Sequence, residues 1–227
     1  MTLDEIVEEL REMGDPRAVK IWARMDMDTT NYLGVGLTKI KKLGKKIKKN
    51  HKLSEELWNT GIRDARLLSF TVADPKLFTK EELVAKASEL DFWDLTDNFC
   101  SFIVAKSPFG AELAEEWRHR DSEMVKRCAF ISVSGLAKAK NKLDDSFFES
   151  YLGQIAEEIK TAQNWVKESM IIAAMSIGVR NENLYEKALK TTEAYGEIIV
   201  DYGETSCATP NAYNYLKSDR AKAKVSG

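Results

Sequence analysis

The sequence predicts an all-α protein, a solenoid of stacked antiparallel helix pairs, on three observations. Apolar residues recur at helical spacing along almost the whole chain, strand-like alternation is nearly absent, and helix-start signals return at short intervals. With 227 residues, 44% of them hydrophobic, the chain can bury a substantial core, so one helical-repeat domain over residues 1–227 is expected.

Thr2 with Glu5 and Thr79 with Glu82 fit capping boxes, and Pro16 and Pro108 fall near the starts of apolar-periodic segments. Taken with the periodicity, these signals predict helices at 2–13, 15–25, 38–49, 54–60, 62–73, 79–89, 92–106, 109–118, 122–140, 145–160, 164–178, 181–200 and 211–222. Connections this short favour antiparallel neighbours, and the period can be tested. The segments "RDARLLSFTVA", "FWDLTDNFCSF", "MVKRCAFISVS" and "VKESMIIAAMS" each set a polar residue before an apolar run. Arg66, Asp97, Arg127 and Lys167 fill that slot at separations of 31, 30 and 40 residues, a degenerate repeat. As inner helices of a solenoid, these segments would line one concave face with arginine, aspartate, arginine and lysine, a surface suited to an anion. Each residue also has a structural reading: Arg127 can pair with a neighbouring carboxylate, and Arg66 with Asp64 or Glu55.

Composition narrows the function classes. No run of eighteen apolar residues exists and "MTLDEIVEEL" is acidic, so neither a membrane span nor a leader is expected and the expected compartment is the cytoplasm. Cys100, Cys128 and Cys207 form no CxxC pair, and His51 and His119 have no partner at ligand spacing, so no disulfide framework and no metal are expected. The Walker A, GxGxxG, GxSxG and HExxH patterns are missing, and no cofactor is expected.

Two stretches carry chemistry. In "DFWDLTDNFC", residues 91–100, Trp93 and Asp97 stand four apart on one helical stripe, beside the arc of Phe92, Leu95, Phe99, Phe102 and Ile103. "TKIKKLGKKIKKNHK", residues 38–52, holds eight lysines and no acid, with a thin stripe of Ile40, Leu43 and Ile47. It reads as a docked helix whose outer face, Lys41, Lys45 and Lys48 included, can track phosphates; an ordinary solvated face is the alternative. Formal net charge is only −2, which argues against indiscriminate nucleic-acid binding but not against a local patch.

From "YLGVGLTKIKKLGKKI" through "LWNTGIRDARLLS", "DFWDLTDNFC" and "MVKRCAFISVSG" to "WVKESMIIAAMSIGVRNEN", the chain resembles the AlkC/AlkD-like DNA alkylation repair proteins, whose helical-repeat fold is related to HEAT arrays. The W-D-x-x-D motif is the strongest piece. The resemblance implies a HEAT-like fold with a concave DNA-binding face and active-site roles for Trp93 and Asp97. It also implies a backbone-holding role for Arg127, and it makes double-stranded DNA with alkylated bases the partner, bound by a monomer. One departure stands out: the second active-site tryptophan of such enzymes aligns with Ile172, and Trp165, two turns upstream, substitutes only in part.

The implied activity is a DNA glycosylase for N3- and N7-alkylated purines. Such bases are already cationic leaving groups, so Asp97 would stabilise the oxocarbenium-like sugar and orient water, Trp93 would face the cation, and Arg127 with Arg66, Lys167 and the lysine helix would hold phosphates. Two alternatives stand beside it: a non-catalytic member of the fold that binds distorted or branched DNA, and a helical scaffold for a protein partner.

Overall fold

Fourteen α-helices and no strand make up the described residues, 1–225, of the chain's computed structural model. The chain divides into two units, one of residues 1–79 with 202–207, the other of residues 80–201 with the described residues from 208 onward.

The first unit holds α1 (Leu3–Met13), α2 (Pro16–Ala23), α3 (Leu37–Ile47), α4 (His51–Asn59) and α5 (Arg63–Val72). The Thr2–Glu5 capping box forms in full: the Thr2 amide donates to Glu5 Oε2 at 2.8 Å, and the Glu5 amide to Thr2 Oγ1 at 3.3 Å. Pro16 opens α2, where its missing N–H costs nothing, behind Asp15 as the cap. Helix α4 starts at His51, ahead of the expected residue 54, because the Asn50 side chain accepts from the Leu53 amide at 3.1 Å. The lysine-rich α3 ends at Ile47, where Lys48 turns out of the helix at φ 69°, a strained conformation for a side-chain-bearing residue.

Helix α5 is this unit's core element and packs on α3 and α4, burying Leu67, Leu68, Phe70 and Val72. In its first turn Asp64 is fully buried and accepts from the amides of Leu33 and Val35, each at 2.7 Å. One carboxylate therefore folds the α2–α3 connection. Between those amides Gly34 sits at φ 82°, where a Cβ would stand 2.3 Å from the Asp15 carbonyl oxygen.

The second unit holds α6 (Lys80–Ser88), α7 (Trp93–Phe102), α8 (Gly110–Trp117), α9 (Glu123–Lys138), α10 (Asp145–Glu158), α11 (Asn164–Ile177), α12 (Glu182–Tyr195), α13 (Ala212–Lys217) and α14 (Asp219–Val225). Helix α9 is its axis. It packs against α7, α8 and most extensively α11, and it buries Cys128, Ala129, Phe130 and Val133 completely. The helices carrying Asp97, Arg127 and Lys167 thus form one packed row, as the repeat implied, while Arg66 lies on α5 of the first unit.

Three expected helices are corrected. The segment expected as one helix over 92–106 ends at Phe102 and tightens into a 3-10 turn at Val104–Lys106. Pro108 keeps Ser107 extended, at ψ 161°, and the tighter turn buries Ile103 and Val104 together. Helix α12 stops at Tyr195 instead of 200, because Gly196 takes φ 74°. The segment 211–222 breaks at Ser218, whose hydroxyl donates to the Tyr215 carbonyl at 2.6 Å and accepts from the Ala221 amide at 3.3 Å, starting α14. Among the described residues no helix is long and apolar enough to cross a membrane.

Replacing Asp64 by alanine strands the Leu33 and Val35 amides, and an unmade buried hydrogen bond costs about 1 to 3 kcal/mol. Asp64→Ala is expected to lose about 3 kcal/mol, read as a melting-temperature drop of about 6 to 12 °C. A change below about 1 kcal/mol would show that the α2–α3 connection does not depend on this carboxylate.

Candidate functional site

Phe92, extended at φ −150° and buried, makes Trp93 the first helical residue of α7, and Asp97 follows one turn later on the same stripe. Arg127 and Trp165 stand in the opening turns of α9 and α11, and the Trp165 amide donates to Glu123 Oε1 at 2.7 Å. That bond ties the starts of α9 and α11 together and brings all four residues to one level.

The cluster is built around Arg127, which has no exposed surface. Its Nε donates to Asp97 Oδ1 at 2.7 Å and its Nη2 to Asp97 Oδ2 at 2.8 Å, a bidentate pair. Its Nη1 donates to the Trp165 carbonyl at 2.6 Å, and Glu168 Oε2 makes a second ion pair at 2.9 Å. The aromatic wall closes beside it: the Trp93 and Trp165 rings lie 6.1 Å apart, Phe92 meets Trp165 edge-on at 5.3 Å, and the guanidinium carbon is 6.0 Å from the Trp93 ring.

Burial pushes the Asp97 carboxyl above the usual carboxylate range; the Arg127 charge opposes the shift, and Glu168 and Asp94 add to it. Burial also works against the Arg127 charge, but Asp97 and Glu168 outweigh it and hold the guanidinium protonated. The Asp97 side chain keeps 24% of its surface and that of Glu168 12%, so the cluster presents a carboxylate edge, with two negative groups around one positive.

This geometry gives Arg127 a different place from the phosphate contact expected of it. Its donors point inward to Asp97, Glu168 and Trp165, the cross-helix pairing that was its structural alternative. Trp165 is brought against Trp93 and is itself mostly covered, whereas Ile172 lies two turns further along α11, half-buried, and its carbonyl accepts from Ser176. Lys167 is half-buried on α11. Arg66, in the first unit, lies 4.3 Å over the Trp58 ring with its Nε donating to the Trp58 carbonyl. Asp64, one of its expected partners, accepts from the amides of Leu33 and Val35.

The lysine helix divides its cations between two tasks. Lys39 donates to the last carbonyl of α1, and Lys49 to the Thr71 and Ala73 carbonyls at the end of α5, where a cation suits the negative helix terminus. Lys46 pairs with Glu9 at 3.2 Å. Lys41, Lys45 and Lys48 are all exposed; Lys41 and Lys45, four apart, share one stripe of α3, and Lys48 follows just past its end.

Sequence reasoning missed Glu168 and Glu123. Glu168 lies three residues after Trp165, on the same face, and adjoins the lysine that the repeat singled out. Requiring a counter-charge for an arginine inside an apolar run would have found it.

A packed row of helices around a buried Asp–Arg–Glu cluster defines a HEAT-like repeat protein. The profile of the family described as DNA alkylation repair enzyme matches residues 6–216, and the chain belongs to that family. It is similar to an uncharacterized protein of Listeria monocytogenes, 24% identical over 99% of this chain and 100% of that one. An uncharacterized protein of Listeria innocua is also 24% identical, over 97% and 98% of the two chains. A solved structure matches with a TM-score of 0.88 at 22% identity, covering 99% of this chain and 96% of its own; it is described as a new family of proteins related to the HEAT-like repeat DNA glycosylases with affinity for branched DNA structures. The likeness establishes the HEAT-like fold.

Breaking a buried pair by removing one partner costs about 3 to 5 kcal/mol. Arg127→Met, which leaves Asp97 and Glu168 facing each other, is expected to lose about that much, and Asp97→Asn, with Glu168 still in place, about 2 kcal/mol. A double-mutant cycle on the melting transition should return a coupling of about 1 to 3 kcal/mol. Additive losses would mean that the pair does not hold α7 to α9.

Proposed function

We propose that this protein is a DNA-binding member of the DNA alkylation repair family that recognises distorted or branched DNA through phosphate contacts, and that its Asp97 is a structural carboxylate. One observation carries this reading: both Asp97 oxygens are taken by a fully buried arginine. A carboxylate that stabilises a sugar cation must offer its charge to the reacting atom. Here that charge is spent on joining α7 to α9, and the Trp165 ring stands 6.1 Å from that of Trp93, tilted against it. The affinity for branched DNA described for the structural neighbour supports the same ligand class.

A second reading rests on a different observation. Two carboxylates, Asp97 and Glu168, meet the one guanidinium of Arg127 and keep an exposed edge, and the same guanidinium lies 6.0 Å from the Trp93 ring. Such an edge suits the positive charge that builds on deoxyribose when an alkylated purine leaves, which is the glycosylase activity the resemblance implies. In that case the want of an aromatic face at Ile172 lowers the rate, and Ile172→Trp raises it.

Two measurements separate the readings. Incubated with alkylated duplex DNA, the protein is expected to release neither 7-methylguanine nor 3-methyladenine above the spontaneous rate, while shifting a four-way junction in a gel. Release that disappears in a folded Asp97→Asn variant would transfer Asp97 to the mechanism. Replacing Lys41, Lys45 and Lys48 by glutamine is expected to weaken binding of all DNA sequences alike. It should also flatten the slope of log affinity against log salt by about 0.9 for each phosphate no longer neutralised. An unchanged slope would remove the lysine helix from the interface.

A further inference from the structure

A concentration of positive charge in the second unit lies away from the Arg127 cluster, where α9 and α11 end. A hollow of about 750 Å³ opens there, and Lys138, Lys140, Asn141, Lys142, Arg180, Asn181 and Lys224 supply its polar lining. No carboxylate is among its lining residues. The acid beside it, Asp145, accepts from Asn181, a lining residue, at 2.8 Å and from Asn183 at 2.7 Å, and its charge is felt at Arg180.

We propose that this hollow is a phosphate-binding surface that seats the backbone of a DNA strand, a second contact on the same protein for a second stretch of the DNA. The proposal rests on the DNA-binding reading and deepens it: branched DNA offers more than one arm, and holding two arms needs more than one basic surface.

Four features support it. First, the end of a helix is negative and would repel phosphate, but Arg180 neutralises it by donating to the carbonyls of Ala137 and Ala139, each at 3.2 Å, at the end of α9. The arginine makes the floor and leaves the lysines to the ligand. Second, Lys140 and Lys142 alternate along a non-helical segment whose Asn141 turns inward, accepting from Arg180 at 3.0 Å and donating to the Leu136 carbonyl at 2.6 Å. Anchored between them, Asn141 leaves both flanking lysines at the surface. Third, Lys224 reaches the hollow from α14, where its Nζ donates to the Tyr215 hydroxyl at 3.2 Å, so cations converge from the end of α9 and the connection after it, from beyond α11, and from α14. Fourth, burial and then the Lys224 charge pull the Lys138 ammonium below the usual lysine range, so two of the cations stand within electrostatic reach of each other. Lysines spread along an open strip match a linear polyanion better than a single small anion, whose charge one or two cations would satisfy.

The test is lysine footprinting on the full chain: acetylation at each lysine is followed by mass spectrometry, free and with a four-way DNA junction, a linear duplex or inorganic pyrophosphate. Lys140, Lys142 and Lys224 are expected to be protected by the junction at least threefold more than by the duplex. The K140Q/K142Q/K224Q variant, altered only at exposed positions, should bind the junction at least tenfold more weakly and with a flatter salt slope. Protection confined to Lys41, Lys45 and Lys48 would overturn the second surface and leave the DNA-binding reading standing. Protection by pyrophosphate but by neither DNA would assign the hollow to a small phosphate ligand and overturn the strand assignment. No junction binding and no protection by any probe would overturn both the surface and the reading it rests on.

Discussion

A guanidinium with no exposed surface stands at the centre of the second unit, and the packing around it follows from satisfying that charge. Moving an ion out of water costs several kcal/mol, repaid only when opposite charge and hydrogen bonds meet it in good geometry. Arg127 meets that demand with Asp97 from α7 and with Glu168 and the Trp165 carbonyl from α11. Three helices must therefore stand at one level before the arginine can be buried. A slip of one turn in α7 or α11 would leave a bare charge in the core. Apolar residues such as Phe99, Phe130 and Val166 stabilise the row without fixing its level, since dispersion and area burial tolerate small slides.

The same constraint bears on chemistry. A carboxylate needed to lock two helices has less freedom to serve a reaction, and an arginine turned inward cannot grip a phosphate. The W-D-x-x-D pattern is compatible with either use, because its spacing only places Trp93 and Asp97 on one face. What tips the balance toward structure is the partner on the neighbouring helix and the tryptophan from α11 whose ring stands 6.1 Å from that of Trp93. What keeps a reactive role physically reasonable is the exposed quarter of Asp97 and the second carboxylate, Glu168, on the same guanidinium.

Charge on this chain is segregated far beyond what its net value of −2 suggests. In the first unit, Lys39 and Lys49 leave the lysine stripe to cap the ends of α1 and α5. In the second, Arg180 does the same for α9 and so makes the surrounding lysines usable. In both places a basic side chain that neutralises helix carbonyls stands next to others that remain exposed. Counting lysines in a run cannot separate the two groups, because the difference lies in which helix end is within reach.

The fold was legible in the sequence because helical periodicity, capping residues and short connections are local properties. Thr2 marks a helix start through bonds spanning three residues and Pro16 through its fixed φ, and the pairing of Asp97 with Arg127 was foreseeable as one outcome of a repeat near thirty residues. Tertiary structure decided the rest. Whether Arg127 faces solvent or Asp97, and whether Trp165 approaches Trp93, depends on residues 30 or more positions apart in the chain. Glu168 was passed over for the adjacent Lys167 because periodicity marks a polar slot without saying which polar neighbour turns inward. The hollow around Arg180 left no mark in the periodicity, since its cations come from the α9–α10 connection, the residues after α11, and α14. Local spacing sets which residues share a helix face; only packing sets which faces meet, and the desolvation of one arginine fixed that choice for the second unit.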